Sequence, residues 1–382
     1  MTLFKYQKTK RYHAQVPGGV EALAAVELEA LGASEVVTGL RVVDFTANPD
    51  VLYAVNYQSR LITRVIAPLV SFRCRNRDDL YKAGLSVDWP SVFSLKNTFG
   101  IFSNVSDNPN IRHSQFASLC VKDAVADLFR EKTGERPDVD KLDPDVSINL
   151  YIKKEKGTIS LDTSGGSLHR RGYRRETVIA PMQEIIAAAM VDLSGWKGDT
   201  PLYDPMCGAG TLLCEAMMKA FHIPPGYFRK NFGFRLLPDF DTTLWDKIKE
   251  EADTKIQKPK AGLIAGSDFD RDAVKAAKTN CRTLPGGDMI TISKKDFMAI
   301  PNLENQVIIC NPPYGIRMEK DRDLAPFFKK IGDFLKQRCK GSTAYIYFGN
   351  REMIKAIGLK PAFKRPMRNA GLDGRVVKFE MY

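Results

Sequence analysis

The sequence predicts an α/β protein with two small mixed units ahead of a larger domain, the last built on a mostly parallel sheet with helices on both faces. Three observations predict it. The 382 residues exceed what one ordinary core accommodates. From residue 166 onward, strand and helix patterns alternate, which implies stacked β-α units. At residues 203–211 an apolar strand ends in a glycine turn that opens directly onto a helix. A hydrophobic fraction of 44% fits a globular chain.

The first unit, residues 1–68, reads as strand–helix–strand–strand–helix–strand. RYHAQVP is a strand and turn, and GVEALAAVELEALGA is an amphipathic helix closed by Gly32. EVVTGLRVVDFTA gives two strands about a turn, PDVLYAVNYQSRLI a helix, and a strand begins at Thr63. That order is the ferredoxin-like split βαβ. The second unit, residues 69–165, starts with a helix in NRDDLYKAGLSVDWP and a strand in FGIFSNVSD. The helix SQFASLCVKDAVADLFREKTG follows, with Gly134 beyond its end, and then a hairpin expected to turn at Lys156-Gly157. No catalytic cluster marks this unit, and a platform for a large partner is a sensible use for it. The third, residues 166–382, opens with a helix over residues 180–193. PLYDPMCGAG, LIAGSDFD, MITISKKDF and NQVIICNPPYG are strands with their exits. TLLCEAMMKAF, RDAVKAAKTNCRTL and LAPFFKKIGDFLKQRC are helices, and STAYIYFGN and GRVVKFEMY are late strands.

Lysine and arginine number 57 against 45 acidic residues, a net +12 that favours a polyanionic partner, and most of the excess follows residue 160. Two clusters stand out: Arg60, Arg64, Arg73, Arg75 and Arg77, and Arg170, Arg171, Arg174 and Arg175 around Tyr173. Each reads either as a solvated surface or as contacts to phosphate and stacked bases. Seven cysteines without regular spacing and four histidines argue against a disulfide framework or a metal site. No apolar run reaches membrane-spanning length and the N-terminus has no apolar signal, so a cytoplasmic protein without a membrane role is expected.

Four strand ends carry the chemistry. Asp204 and Pro205 lead into Gly208 and Gly210, a turn that lets a ligand approach the backbone. The pattern is neither GxGxxG nor GK[ST], which disfavours dinucleotide and phosphate sites. The Asp204 carboxylate suits the ammonium and sulfonium of S-adenosyl-L-methionine; bracing the turn is the alternative. Asp268 can accept two ribose hydroxyls, while Asp270 suits a helix cap. Asp296 can accept an adenine amino hydrogen and Phe297 can pack on the ring; turn and core roles are open to both. Finally, the apolar strand ending in Cys310 enters Asn311-Pro312-Pro313-Tyr314. The prolines restrict this loop. Acceptors from Asn311 and the Pro312 carbonyl can hold both hydrogens of an exocyclic amine, with Tyr314 stacking on the base. Methyl transfer by orientation and a preorganised field follows, without metal or covalent intermediate. Cys207 and Cys310 read as small buried side chains and His169 as an ordinary surface residue.

The connector at 161–174 (LDTSGGSLHRRGYR), its continuation APMQE, and DPMCGAGTLLCEA, GSDFD and NPPYG in order resemble THUMP-domain RNA methyltransferases. The similarity is greatest to the bacterial large-subunit rRNA guanine-N2 group. FHIPPGYFRKNFGF resembles an insertion of that family. The resemblance implies ferredoxin-like, THUMP and Rossmann-like methyltransferase domains, S-adenosyl-L-methionine as cofactor, and RNA, 23S rRNA first, as partner, with no protein partner required. It assigns Asp204, Gly208 and Gly210 to the methionine end, Asp268 to ribose, Asp296 to adenine, and Asn311, Pro312 and Tyr314 to the reaction loop. Ile316 stands where the group often has an acidic residue. A tRNA guanine-N2 enzyme, a noncatalytic RNA-binding assembly factor and a DNA adenine methyltransferase are the alternatives.

Overall fold

The structure, a computed structural model, describes residues 3–178, 182–313, 324–369 and 371–382. A short helix α1 (Lys5–Thr9) precedes β1 (Arg11–Gln15), α2 (Glu21–Ala30), β2 (Ser34–Gly39), β3 (Val42–Thr46), α3 (Pro49–Gln58) and β4 (Arg64–Arg73). β1 pairs antiparallel with both β3 and β4, and β2 with β3, which gives the expected split βαβ. The second unit adds α4 (Arg77–Leu85), β5 (Phe99–Ser106), α5 (Ser114–Thr133), β6 (Val146–Lys153) and β7 (Lys156–Asp162). The two units share one sheet: β4 also pairs antiparallel with β7, so seven strands run β2-β3-β1-β4-β7-β6-β5. A division after residue 68 would therefore cut through the middle of β4.

The hairpin turns at Lys154-Glu155, two residues before the expected place, with Lys154 at φ 52°. Gly157 lies inside β7 for a different reason. A Cβ there would sit 2.4 Å from the Phe72 ring, so glycine makes room for an aromatic across the β4–β7 pair.

The third unit comprises α6 (Glu184–Leu193), β8 (Leu202–Asp204), α7 (Thr211–Ala220), α8 (Thr242–Asp253), β9 (Ile264–Asp268), α9 (Arg271–Thr283), β10 (Thr291–Lys294) and β11 (Val307–Cys310). It continues with α10 (Ala325–Arg338), β12 (Thr343–Phe348), α11 (Met353–Ala356), β13 (Phe363–Asn369) and β14 (Leu372–Glu380). Its sheet runs β10-β9-β8-β11-β12-β14-β13. The first five strands are mutually parallel, and β14 is antiparallel to both neighbours. Strand order reverses between β8 and β11, the point at which doubly wound sheets bind ligands. β13 was not legible because its Pro366 argues against a strand; as the edge strand, β13 tolerates the lost donor.

The third unit grips the first through two buried contacts. One is aromatic. Trp245 of α8 lies among Tyr57, Phe232 and Phe234, with ring centroids 5.0–5.4 Å apart. Tyr57 also donates its hydroxyl to Asp253 at 2.6 Å. The FHIPPGYFRKNFGF stretch is thus part of a clamp onto α3.

The other contact is ionic, and it corrects the reading of Arg60, Arg171 and Tyr173, whereas Arg73, Arg75, Arg77, Arg170 and Arg175 stay exposed as a solvated surface. Arg171 is 1% exposed and pairs with the fully buried Glu215 of α7 at 3.3 Å. Tyr173 is buried and donates its hydroxyl to the same carboxylate at 3.1 Å. Arg60 donates to the Glu215 carbonyl at 2.9 Å and to Asp192 at 3.1 Å. Arg64 pairs with Asp162, Arg73 with Glu155 and Arg75 with Asp79. Arg171 and Tyr173 are therefore neither solvated surface nor base-stacking groups. Partners distant in sequence bury them. His169 is half-buried against Ser167, 2.6 Å from its hydroxyl, and burial lowers its pKa.

Replacing Glu215 with alanine removes the acceptor for Arg171 and Tyr173 together. It should destabilise the protein by about 3–5 kcal/mol. Denaturant unfolding measures this, and a loss under about 1 kcal/mol would show the pair to be dispensable.

Candidate functional site

The C-terminal ends of β8, β9 and β11 and the exit of β10 surround one concavity of about 510 Å³. Asp204 ends β8 and Asp268 ends β9, while Asp296 and Asn311 follow β10 and β11. All four line the concavity, as do Pro205, Gly208, Phe297 and Pro313. The sequence-derived site is thus brought together from four separate strand ends. Two of its members sit elsewhere. Gly210, at φ 79°, faces α9, where an added Cβ would lie 3.1 Å from that of Ala277; it serves the packing of α7 on α9. Pro312 is buried and does not line the space. Tyr314 and Ile316 lie outside the described residues, as do Ala180 and Pro181.

Gly208 adopts φ 51°, and an added Cβ would meet only Val178, at 3.9 Å. Its N–H donates to Asp268 at 2.9 Å, and the other Asp268 oxygen accepts from Asp270 N–H at 3.0 Å. The loop after β8 and the end of β9 are thereby locked together. Asp204 is 1% exposed and accepts from Met206 N–H at 3.0 Å. Asp270 caps α9 by accepting from Asp272 N–H, as expected, and Asp296 caps a single turn by accepting from Met298 N–H. Phe297 is 7% exposed and packs edge-on against Phe327 and Phe334, so it belongs to the core as well as to the pocket wall. Cys207 and Cys310 are buried.

Charge and hydrogen bonding define what the pocket accepts. Among the described residues its walls carry four carboxylates (Asp204, Asp268, Asp270 and Asp296) and no lysine or arginine. Burial pushes the Asp204 carboxyl well above its usual range, and the nearby Asp268 adds to this. Asp268 is raised too, first by burial, although its N–H donors pull the other way. Such a site disfavours phosphates and favours a cationic ligand. Asn311 supplies the other half: its Oδ1 is buried and has no partner, an acceptor waiting for a donor. These features fit a cofactor with ammonium and sulfonium charges and a substrate bearing N–H groups. No group of histidines, cysteines or carboxylates among the described residues is placed to hold a metal ion. No described helix is long and apolar enough to cross a membrane.

Sequence reasoning missed two residues, Phe269 and Asn280, and singled out a third, Arg174, without its partner. Phe269 is 71% exposed on the pocket rim between two aspartates, an unusual place for a large aromatic and a readable signal. Asn280 is fully buried on α9. It donates to the Ala209 carbonyl at 2.9 Å and accepts from Arg175 and Glu176 N–H at 2.7 and 3.0 Å, tying the connector to the glycine loop. Arg174 donates to the Thr211 hydroxyl at 3.0 Å. Neither Asn280 nor Arg174 has a local signature of these roles.

Family models match along the chain. Residues 171–378 match an RMKL-like methyltransferase domain, residues 74–162 a THUMP domain, and residues 11–66 an RlmL ferredoxin-like domain. The chain is 40% identical to a candidate RNA methyltransferase of Synechocystis, over 98% of its own length and 97% of that protein. It is 36% identical to the ribosomal RNA large subunit methyltransferase K/L of Aliivibrio salmonicida over 95% of its length, and spans 52% of that longer protein. Among solved structures, SMU.472, a candidate methyltransferase complexed with SAH, superposes with a TM-score of 0.85 at 26% identity. The match covers 97% of this chain and 98% of that one. A Listeria monocytogenes protein described as a predicted N6-adenine-specific DNA methylase shares the fold, with a TM-score of 0.84 at 24% identity over 99% and 98% of the two chains.

Folding raises the Asp204 pKa, so the folded state holds that proton more tightly than the unfolded chain does. The stability from this group is complete below about pH 4 and is lost as pH rises through the raised value. Asp204→Asn keeps an oxygen for Met206 N–H and should therefore melt above the unsubstituted protein near neutral pH. The difference should close toward about pH 4. Identical melting curves across that range would show that Asp204 burial carries no cost.

Proposed function

Because the chain belongs to the RMKL-like methyltransferase family and carries that family's ferredoxin-like and THUMP regions in order, we propose that it methylates the exocyclic N2 of guanine in RNA, 23S rRNA first. The chain is an S-adenosyl-L-methionine-dependent methyltransferase. The observation that carries the amine part of this reading is the buried, unpartnered Oδ1 of Asn311 on the rim of an acidic pocket, and the guanine and 23S rRNA parts rest on the likeness to the large-subunit rRNA methyltransferase.

When bound, the cofactor supplies an electrophilic methyl group on a sulfonium. The chain's residues do the rest. Asp204 would face the ammonium and Asp268 would accept the ribose hydroxyls through its remaining lone pairs. Asp296 would accept from the adenine amino group, and Phe269 and Phe297 would supply apolar surface for the ring. Gly208 allows close approach at the loop. Asn311 Oδ1 accepts one amine hydrogen and aims the nitrogen lone pair, while Pro312 and Pro313 stiffen the loop that holds it. Tyr314 is assigned to stacking on the target base by its place in the motif. As the nitrogen–carbon bond forms, the carbon–sulfur bond would break and leave its electron pair on sulfur as a neutral thioether; the nitrogen, now cationic and acidic, would lose its proton to water without a strong base. A paired guanine must first leave its helix.

Residues 69–165 are assigned to RNA binding. The concavity between α4 and α5, about 440 Å³, presents Arg77, Lys122, Arg130 and Arg136 beside three aspartates. The reaction is expected in the cytoplasm.

The test is incubation with methyl-labelled cofactor and separate pools of unmodified 23S rRNA, 16S rRNA and tRNA, followed by digestion to nucleosides. Labelled N2-methylguanosine from 23S rRNA is expected. The same nucleoside from tRNA would move the substrate, N6-methyladenosine would overturn the base, and RNA binding without label would point to an assembly factor. In the same assay Asn311→Ala should lose about 100- to 1,000-fold in turnover while retaining cofactor affinity within a few fold.

A further inference from the structure

The cofactor's amino-acid tail ends in a carboxylate as well as an ammonium, and no lining side chain among the described residues is basic. Behind the wall formed by Met182 and Thr211 lies Arg174, 18% exposed. Its Nε donates to Glu184 at 2.9 Å, and its Nη2 donates to the Met182 carbonyl at 3.1 Å and the Thr211 hydroxyl at 3.0 Å. Its Nη1 is buried and has no partner. A guanidinium is a planar fork of five donors. Here Nε is taken by Glu184 and Nη2 by Met182 and Thr211, and the two N–H donors left over, both on Nη1, belong to a group that touches two residues of the pocket wall. Buried donors are rarely left unpaired, and one that the protein leaves open is completed by a ligand or by ordered water. Thr211 is the first residue of α7, so an anion beside it also meets a helix N-terminus. Because its oxygen accepts from Arg174, the Thr211 hydroxyl is left with its own proton to donate.

Resting on the cofactor assignment above, we propose that Arg174 is the carboxylate-binding residue of this pocket. Nη1 donates to the α-carboxylate of S-adenosylmethionine, the Thr211 hydroxyl donates alongside it, and Asp204 faces the ammonium. Arg174 then joins the connector to the cofactor directly, and the pocket recognises both charges of the amino-acid tail.

The experiment is calorimetric binding of two ligands that differ only in that carboxylate, S-adenosylmethionine and decarboxylated S-adenosylmethionine. Both are titrated into the intact chain and into Arg174→Met, Arg174→Lys and Thr211→Val, with unliganded melting curves to confirm folding. The unsubstituted chain should prefer the carboxylated ligand by about 10- to 100-fold. Arg174→Met should abolish most of that preference while leaving the decarboxylated ligand's affinity nearly unchanged, and Arg174→Lys should restore part of it. Thr211→Val should reduce the preference with Arg174 in place, which tests the site even if Arg174→Met fails to fold. An equal loss for both ligands, or an undiminished preference in these variants, would overturn the proposal and leave Arg174 a packing residue. Failure of the unsubstituted chain to bind either ligand would overturn the cofactor assignment itself.

Discussion

The buried carboxylate of Glu215 is the constraint on which the arrangement of the halves depends. It sits in the middle of α7, the helix that starts at the cofactor loop, and it meets Arg171 and Tyr173 from the connector and is within 3.8 Å of Arg60 from the first unit. Burial pushes its pKa up, while Arg171 and Arg60 pull it down. A charge group of this kind adds little net stability over an apolar core, but it tolerates few alternative registers, because any slip leaves a charge unpaired. The connector is thereby fixed on the helix that frames the cofactor, and the fold uses expensive charges to specify one docking of the platform against the catalytic sheet.

The same economy recurs at the pocket. Polar groups around the strand ends are spent first on the loop itself. Asp268 holds Gly208 and Asp270, Asp204 holds Met206, and Asn280 holds Ala209. What is left unspent is informative: the carboxylate charges, raised in pKa by burial, and the lone acceptor of Asn311. A preorganised site of this sort needs little rearrangement when its ligands arrive, which is where orientation and fixed dipoles gain their effect.

Much of this was legible in the sequence because it is written locally. Asp204, Asp268, Asp296 and Asn311 each stand at or just beyond a strand that is recognisable in the sequence, and a parallel sheet delivers such exits to one edge whatever the distance between them in the chain. Gly208 and Gly210 show where local reading stops: they look alike in sequence, yet one opens to the pocket and the other meets Ala277. Arg171 and Tyr173 show it more sharply. A run of arginines around a tyrosine resembles a nucleic-acid surface until Glu215, remote in sequence, is placed beside it. Gly157 suggested a turn, but Phe72 on the facing strand explains it better. In each case the deciding partner is long-range, and no spacing rule reports it.

The pairing of β4 with β7 has a consequence for how the chain is made. During synthesis β4 is complete well before β7 emerges, and until then it is an edge strand with an apolar run at Val65–Ala67. Such an edge is a template for pairing with other chains. The nascent first unit can close its own strands but cannot cover that edge, and so must wait, shielded or exposed, for the ribosome to deliver residues 156–162. Fragments ending near residue 68 would make the wait permanent. The smallest self-contained piece of the N-terminal half is therefore both units together.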